Sequence, residues 1–587
     1  MRKLWAILIA FALLLSLVAV GASAESVPME GAKFAKITNV GGIDGSSFYL
    51  YVASELYDPY PMLTPVIYVF GDEPYQNAEA AWAAAAEAGL IDIAEADHGA
   101  VILVNPVGES WGSTDLDVFE AIEQYIYYTT GTVKLTYHNL QYAIGEGTGA
   151  TFINDYLTQD CKRLAAVMTF GGEIHNPYPL YPLPAYIVTG SQKAIDFYKN
   201  INDGTLLLPT SGRITELTAT VKKLWSTEAT DQKTVYTFTP DPVKKVIVSN
   251  AITQTLDADI IADCWATLFR RTTRSCLTTN CWQFSDSIYN DTVFTLLERP
   301  DYTKAGMQVV KVEGVGNGIW DDSAANYWYE FVSAAVQEAM SSGSDEKFPL
   351  VLCIHGGGDH PIYETESMGW AQLAIDQNVI VVSPNAAGAD QFVQLIDYMA
   401  AKYPVDLSRV YVTGFSRGAR QTLAVSHAYP ERFAASAPIS CVSGPFFTDL
   451  IAALPNYAYD LDLPICFGGQ GMETESTNND NQYVWFEAVK EIYAIDEITP
   501  YEGDLDYTKY PYWGFPVEDN QRNATPSGHA IWQGYLYDAD GIPLVCAMHT
   551  EDLTHAHFPS YAQYIWGYFS MFSRDTATGA LIYEPAQ

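Results

Sequence analysis

A chain of 587 residues is too long for one hydrophobic core, so we expect at least two domains. Because 48% of the residues are hydrophobic and only 17% are charged, the composition excludes an intrinsically disordered chain. The net charge of −39 argues against nucleic acid and anionic membranes as partners, since their phosphates would be repelled.

The chain begins with a pattern typical of a secretory signal. A basic start precedes an apolar run that ends at Ala22-Ser23-Ala24, and these small residues predict cleavage after Ala24. An uncleaved anchor is the alternative, because the apolar run is nearly long enough to cross a bilayer. We expect a cleaved signal peptide over residues 1–24, a secreted or surface-attached protein, and no membrane span after cleavage.

Apolar strand patterns alternate with helical patterns along most of the chain, which predicts an α/β fold with mainly parallel sheets flanked by helices. The two halves pass through the same landmarks in the same order. TPVIYVFGDEP in the first half matches FPLVLCIHGGGDHP in the second, and each half closes on a tryptophan-bearing helix. This repetition predicts a tandem duplication, with one domain over residues 31–280 and another over residues 300–587.

Both halves contain a strand-turn-helix unit, YAIGEGTGATFINDYL and YVTGFSRGARQTLAVSHAY, but Gly147 stands in the first where Ser416 stands in the second. The first half also places Lys193 where an acid would follow a later strand, and it has no histidine between His175 and His355. The acidic turn FGDEP would repel an oxyanion. We therefore expect a non-catalytic first domain that braces the second or holds substrate, with ordinary loop or helix-end histidines at His98, His138 and His175.

The eight cysteines are too few for a disulfide scaffold in a chain of this size. Cys353, Cys466 and Cys546 lie in apolar strand patterns, which predicts buried thiols. Cys276 and Cys281 are spaced to close a short loop, and whether they form a disulfide stays open. Because cysteines and histidines do not occur at zinc-site spacing, we expect no metal.

A glycine-serine-glycine turn between a strand and a helix is typical of an exposed nucleophile, and it predicts that Ser416 is catalytic. Gly414 and Gly418 would be required because side chains there would collide with the strand and the helix. Upstream, the HGGG turn predicts an oxyanion hole formed by the amides of Gly356 and Gly357 with that of Arg417.

The expected order of nucleophile, acid and histidine places the base after the last strand. We expect His555 in this role with His557 as the close alternative, whereas His549, His355 and His427 are expected to be structural. The acid should follow the strand LPICFGG, where Glu473 is the first choice, Asp480 the second, and Glu475 a further carboxylate of the same loop.

Residues 300–587 resemble the α/β-hydrolase esterases of the polyhydroxybutyrate depolymerase and feruloyl esterase group. The resemblance rests on LVLCIHGGG, VDLSRVYVTGFSRGARQTLAVSHAYPERFAASAPIS and LTHAHFPSYAQYIWGYFSMFSRD. It implies two tandem α/β-hydrolase-like domains, a serine esterase with Ser416 as nucleophile and His555 as base, and an acid from the loop after LPICFGG. It also implies an ester substrate, such as a feruloyl or acetyl ester of plant polysaccharide or a polyester, and no cofactor.

Two other functions fit the same residues. A serine peptidase similar to prolyl oligopeptidase would share the Ser416 turn, although the first half shows no β-propeller repeats. A non-catalytic surface binding protein would use both halves as scaffolds. The sequence leaves the oligomeric state and the preferred acyl group open.

Overall fold

The structure is a computed structural model that describes most of the chain in a series of segments. These are residues 33–56, 63–127, 131–137, 139–160, 164–175, 177, 179, 181–204, 224–276, 294–314, 326–385, 387–440, 462–470, 519–525, 530–551 and 557–585. The signal-peptide prediction, which concerns residues 1–24, lies outside these segments.

The chain divides into two compact units, and the first passes into the second between Arg299 and Pro300. Strand Phe294–Glu298 lies between the predicted domain limits of 280 and 300. It belongs to the first unit because it pairs antiparallel with strand Thr272–Cys276.

The first unit is built on a mixed sheet of ten strands, with a separate two-stranded ribbon at its end. Its strands are β1 (Lys33–Thr38), β2 (Ser47–Val52), β3 (Val66–Phe70), β4 (Ala100–Asn105), β5 (Gln141–Glu146), β6 (Leu164–Phe170), β7 (Ala185–Val188), β8 (Trp225–Ala229), β9 (Lys233–Phe238), β10 (Lys245–Ser249), β11 (Thr272–Cys276) and β12 (Phe294–Glu298). Its α-helices are α1 (Ala78–Glu87), α2 (Leu90–Ala96), α3 (Ser113–Ile126), α4 (Thr148–Asp155), α5 (Gln192–Asn202) and α6 (Ala258–Cys264).

The second unit repeats this plan. Its strands are β13 (Gln308–Glu313), β14 (Tyr327–Val332), β15 (Phe348–Ile354), β16 (Ile380–Pro384), β17 (Val405–Phe415), β18 (Ala435–Ile439), β19 (Ile465–Gln470), β20 (Asp519–Asn523), β21 (Ile531–Leu536), β22 (Val545–Thr550), β23 (Phe572–Arg574) and β24 (Leu581–Tyr583). Its α-helices are α7 (Tyr302–Ala305), α8 (Ala334–Ser342), α9 (Pro361–Ser367), α10 (Trp370–Gln377), α11 (Ala389–Lys402), α12 (Arg417–Ala428) and α13 (Tyr561–Phe569).

The two large sheets have the same strand order and the same strand directions. The first runs β1-β2-β4-β3-β5-β6-β7-β10-β9-β8 and the second β13-β14-β16-β15-β17-β18-β19-β22-β21-β20. In each, strands at the centre pair in parallel and an antiparallel pair of strands closes either edge. The prediction of two tandem α/β domains with mainly parallel sheets is confirmed.

The central strands are buried on both faces, which explains their uninterrupted apolar sequences. In β3, Val66, Tyr68 and Phe70 pack into one apolar layer, and Ile67 and Val69 pack into a second layer on the opposite face. Helices cover both layers, so the ends of the parallel strands carry the turns on which a site can be built.

A buried tyrosine in the same position of each central strand fastens the C-terminal ribbon to the sheet. Tyr142 donates its hydroxyl to the carbonyl of Thr272 at 2.8 Å, and Tyr411 donates to the carbonyl of Phe572 at 2.7 Å. Each ring also stacks on a phenylalanine, with 4.7 Å between ring centroids in the first unit and 4.9 Å in the second.

A buried arginine repeats in the same way. Arg274 donates from Nε to the carbonyl of Leu164 at 2.6 Å, and Arg574 donates from Nε to the carbonyl of Phe433 at 2.7 Å. Because strand order, tyrosine and arginine all recur, the structure supports duplication of one ancestral domain.

The cysteine and membrane predictions have separate outcomes. Cys353, Cys466 and Cys546 are buried free thiols, as predicted. The proposed partner of Cys276, Cys281, lies outside the described residues. Among the helices that the structure describes, we find none long and apolar enough to cross a bilayer.

Candidate active site

The turn that carries Ser416 joins β17 to α12, and its two glycines are required by contact. A methyl group on Gly414 would come within 2.6 Å of the Ile354 carbonyl oxygen, and one on Gly418 would come within 1.9 Å of the same atom. Only glycine allows the helix to start this close to the neighbouring strand, as the motif predicted.

Ser416 itself has a backbone conformation that side chains rarely adopt. Its φ is +53° and its ψ is −110°, and it precedes the first residue of α12. A non-glycine residue held there costs about 1–3 kcal/mol, and such strain collects at functional sites. Its amide donates to the Ile439 carbonyl at 2.9 Å, so the sheet holds the turn in place.

Gly147 occupies the equivalent position of the first domain with nearly the same backbone, at φ +54° and ψ −113°. The register agrees, since Phe70 pairs with Gly145 in one sheet and Ile354 with Gly414 in the other. The first domain therefore keeps the shape of the turn but carries no side chain at its centre.

An aspartate fills the space beside Gly147. A methyl group on Gly147 would come within 2.3 Å of Asp72 Oδ1, and the same oxygen accepts a hydrogen bond from the Thr148 amide at 2.7 Å. Thr148 corresponds to Arg417, so the backbone donor expected to bind an oxyanion is already bound to a carboxylate in the first domain.

A second carboxylate adds to the negative charge of this turn. Glu146 precedes Gly147, and burial, together with the charge of Asp72, raises its pKa. Two acidic groups at the turn oppose the build-up of negative charge on a substrate, which agrees with the expectation from FGDEP.

In the second domain, the glycine-rich turn after β15 places its two candidate oxyanion donors, the amides of Gly356 and Gly357, in different surroundings. The Gly356 amide donates to Oε2 of Glu364 at 3.4 Å, within the protein interior. Gly357 is exposed, and a methyl group on it would come 3.9 Å from Arg417 Cβ. Of the two glycines, Gly357 thus lies beside Arg417 with an amide that no residue in the described segments engages, whereas the Gly356 amide is already occupied.

His355 is buried and links this turn to the end of β16. Its Nε2 lies 2.5 Å from the Asn385 carbonyl oxygen, and its Nδ1 lies 2.8 Å from the Gly356 carbonyl oxygen. Burial and then the charge of Arg417, whose Nη2 lies 3.2 Å from Nε2, lower its pKa to about 4. These contacts hold the glycine turn in place, which fits the structural role expected for His355.

His557 lies behind the turn, with protein groups close to both ring nitrogens. Nδ1 is 2.8 Å from Ser367 Oγ, and Nε2 is 2.8 Å from Glu364 Oε2 and 3.2 Å from Asp359 Oδ2. Burial lowers its pKa, but the negative charges of Glu364 and Asp359 outweigh burial and raise it to about 10. Such a histidine is not poised to accept a proton near neutral pH.

The Phe415 ring packs edge-on against His557, with 4.5 Å between ring centroids, so this cluster touches the residue that precedes Ser416. Glu364 and Asp359 were not expected from the sequence to belong to the site. The Asp-His pair in HGGGDHPIYETE is the signal that could have drawn attention to this segment.

The structure does not describe the predicted base or the predicted acids. His555, Glu473, Glu475 and Asp480 lie outside the described residues. Their roles stay predictions. The described residues end with β19 before the predicted acids, and they resume at His557 after the predicted base.

Three other histidines named in the sequence analysis lie within the described residues. His427 is buried on α12, where burial lowers its pKa to about 4, and its Nδ1 lies 3.2 Å from Ser426 Oγ. His549 is buried in β22. His175, at the surface, pairs with Asp155 at 2.5 Å.

Two further expected positions of the first domain are partly described. His98 contacts the Glu55 carbonyl, whereas His138 lies outside the described residues. Lys193 is exposed and donates its amine to the carbonyl of Ile174.

Similarity to known proteins is limited to part of the chain. Each domain is a mainly parallel sheet flanked by helices, and the resemblance expected from the sequence is confirmed over part of the chain. No protein-family model matches the chain. Poly(3-hydroxyalkanoate) depolymerase C of Paucimonas lemoignei is 31% identical over 129 residues, which cover 18% of this chain and 30% of that protein.

Two other curated proteins are similar over shorter segments. The bifunctional acetylxylan esterase/xylanase XynS20E of Neocallimastix patriciarum is 33% identical over 104 residues, which cover 16% of each chain. Feruloyl esterase B of Neurospora crassa is 40% identical over 73 residues, which cover 12% of this chain and 25% of that protein. The chain therefore spans less than a third of the length of these relatives.

Among solved structures, the acetyl xylan esterase from Aspergillus awamori aligns with 45% of this chain and 99% of its own, at 16% identity and a TM-score of 0.31.

Proposed function

We propose that the second domain is a serine carboxylesterase that hydrolyses its substrate through an acyl-enzyme on Ser416. The observation that carries this proposal is the strained Ser416 turn at the start of α12, held between glycines that no larger residue could replace. The similarity to a depolymerase and two esterases supports the same reaction class.

In the proposed reaction, His555 removes the proton of Ser416 as its Oγ attacks the ester carbonyl carbon. The carbonyl oxygen becomes an oxyanion, which the amides of Gly357 and Arg417 stabilise at the positive end of α12. Collapse of this intermediate expels the alcohol, which takes the proton from His555. Water then attacks the acyl carbon while His555 takes a proton from it. The bond between Ser416 Oγ and the acyl carbon breaks, Oγ regains that proton from His555, and the acid is released.

The acid of the triad is proposed to be Glu473, with Asp480 as the alternative, from the loop after β19. The second oxyanion donor from the glycine turn is proposed to be Gly357, because the Gly356 amide is bound to Glu364. Loss of an oxyanion donor typically lowers kcat by about 100- to 1000-fold.

The decisive experiment is fluorophosphonate labelling of the full chain, wild type beside Ser416→Ala, with turnover of p-nitrophenyl acetate and methyl ferulate on the same samples. We expect labelling and turnover of wild type, and loss of both in Ser416→Ala. Cleavage of prolyl peptides in place of esters would favour the peptidase alternative. A folded wild type that neither labels nor turns over would contradict the proposal and favour a binding protein.

The assignment of the base is tested by a matched pair of variants two residues apart. His555→Gln should lower kcat by a factor of at least ~1000 without lowering stability, since a missing triad member removes most of the catalysis. His557→Gln breaks a buried ion pair, so stability should fall as well. The reverse pattern would transfer the role of base to His557.

We further propose that the first domain is catalytically inactive. Gly147 supplies no nucleophile, and Asp72 occupies the Thr148 amide. Fluorophosphonate should therefore label Ser416 alone, and Gly147→Ser should add no second labelled site. The proposed roles of this domain are bracing the second domain and holding substrate.

The proposed substrates are feruloyl or acetyl esters of plant polysaccharide or a polyester, acted on outside the cell. The relatives' names support this range, and the N-terminal pattern of residues 1–24 supports export. Comparison of methyl ferulate, acetylated xylan and polyhydroxybutyrate would rank these substrates.

A further inference from the structure

Three side chains behind the Ser416 turn converge on one point from three separate segments. Asp359 follows the glycine turn, Glu364 lies on α9, and His557 precedes α13. One possible ligand atom from each residue lies within 4.8 Å of the others. His557 and Glu364 are buried, with 6% and 0% of their side chains exposed.

Within the described residues, the imidazole points into this cluster without completing a hydrogen bond there. Nε2 of His557 lies 2.8 Å from Glu364 Oε2 and 3.2 Å from Asp359 Oδ2, yet its direction satisfies hydrogen-bond geometry with neither oxygen. The second carboxylate oxygen of Glu364, Oε1, is also buried without a partner in the described segments. Both observations are what an ion held between the three groups would explain.

The opposite side of the ring indicates which nitrogen would bind an ion. The Ser367 hydroxyl donates to the Glu364 backbone carbonyl at 3.4 Å, so its oxygen accepts from Nδ1–H of His557 at 2.8 Å. With Nδ1 donating to Ser367, loss of the Nε2 proton would leave a lone pair directed at the carboxylates and at an ion held between them. A metal-ligating histidine almost always has such a hydrogen bond on its other nitrogen.

The charges of the three groups favour a divalent cation. Two carboxylates and an imidazolium leave a net charge of −1, mostly out of contact with water, which is unfavourable. A neutral imidazole, two carboxylates and a divalent ion sum to zero. Mixed nitrogen and oxygen ligands suit Zn²⁺ and other first-row ions better than Ca²⁺ or Mg²⁺, which prefer oxygen alone.

We propose that Asp359, Glu364 and His557 bind one divalent first-row transition-metal ion of the zinc type. The sequence predicted no metal because these ligands come from positions nearly two hundred residues apart. The ion would bind the glycine turn and α9 to the segment that follows the last large-sheet strand, and so fix both sides of the Ser416 turn. This proposal stands independently of the esterase reaction.

The test measures metal directly on the full chain. Elemental analysis of the purified protein, followed by calorimetric titration of the EDTA-treated protein with Zn²⁺, should give one ion per chain. Co²⁺ loaded in place of Zn²⁺ should give a visible d–d absorption band, and Zn²⁺ should raise Tm. Ca²⁺ should neither bind nor raise Tm.

Three variants assign the site. Glu364→Gln removes a ligand and should weaken Zn²⁺ binding at least ~100-fold, and Ser367→Ala should weaken it about 10- to 100-fold by freeing the ring. His427→Gln is the matched control, since His427 is a buried histidine of the same domain outside the cluster, and it should bind Zn²⁺ as wild type does.

A folded metal-free protein that takes up neither Zn²⁺ nor Co²⁺ would overturn the proposal, and so would equal Zn²⁺ affinity in Ser367→Ala and wild type. Ser367→Ala decides the matter if Glu364→Gln does not fold. Because every readout is a metal measurement, loss of esterase activity for another reason leaves the result unaffected.

Discussion

Replacing Ser416 by glycine should stabilise the second domain while abolishing its activity. The backbone of Ser416, at φ +53° and ψ −110°, costs about 1–3 kcal/mol for any residue with a Cβ. Glycine removes that cost but gains about 0.5–1 kcal/mol of extra freedom in the unfolded chain. Alanine keeps the strain. We therefore expect the free energy of unfolding of the second domain to be about 1 kcal/mol higher in Ser416→Gly than in Ser416→Ala, and we expect both variants to be inactive.

Calorimetry of the full chain is the assay, with the transition of each domain assigned by the variant that shifts it. A change of 1 kcal/mol shifts the midpoint of a large domain by about 2–4 °C. Only the transition of the second domain should move. The mirror experiment is Gly147→Ala, which introduces the strain and places a methyl group 2.3 Å from Asp72 Oδ1, so the first transition should fall.

Equal stability of Ser416→Gly and Ser416→Ala would refute the reasoning, since the strain would then contribute nothing. A loss of stability in both variants would also refute it, because the serine side chain would then be a stabilising contact.

Other expectations follow from the same structure. Gly418→Ala should destabilise the second domain by about 3 kcal/mol or more and remove activity, because its methyl group would lie 1.9 Å from a strand carbonyl; circular dichroism and calorimetry check this. Tyr411→Phe leaves a buried carbonyl without its donor and should lower the unfolding free energy of the second domain by about 1–3 kcal/mol. Tyr142→Phe should lower the unfolding free energy of the first domain alone, and calorimetry checks both. Burial lowers the pKa of His427 from 6.5 to about 4 in the folded state, so the unfolded chain binds the extra proton between these values. The resulting stability is present above pH 6.5 and is lost as pH falls toward 4, by about 3 kcal/mol, and denaturation curves of His427→Gln should show a correspondingly smaller pH slope.

The fold and the Ser416 turn could be predicted because their causes are local. Strand and helix patterns repeat in order along the chain, and Gly414 and Gly418 stand beside the serine that they expose. The same locality exposed the loss of the nucleophile at Gly147. What the sequence indicated there as repulsion by acidic residues is, in the structure, a direct hydrogen bond from Thr148 to Asp72.

The cluster behind the turn could not be predicted because its members are distant in sequence. Glu364 reads as an exposed helix residue in HGGGDHPIYETE, and His557 as one of three histidines in a loop. Only the packing of α9 beside the last segment shows that Glu364 is fully buried against His557. The carboxylate of Glu364 also accepts the hydrogen bond of the Gly356 amide, which local sequence alone would have assigned to the oxyanion hole.

The two domains separate what the glycines of this motif do from what its centre does. Gly149 in the first domain would place a methyl group 2.0 Å from the Phe70 carbonyl oxygen, nearly the same contact that Gly418 would make in the second. The first domain keeps these glycines although it has lost the serine, because the helix still has to start against the strand. The flanking glycines are therefore a condition of the fold, and they recur with or without catalysis. The central residue is free of that condition, since Gly147 and Ser416 share one backbone conformation, so it can change without loss of the turn.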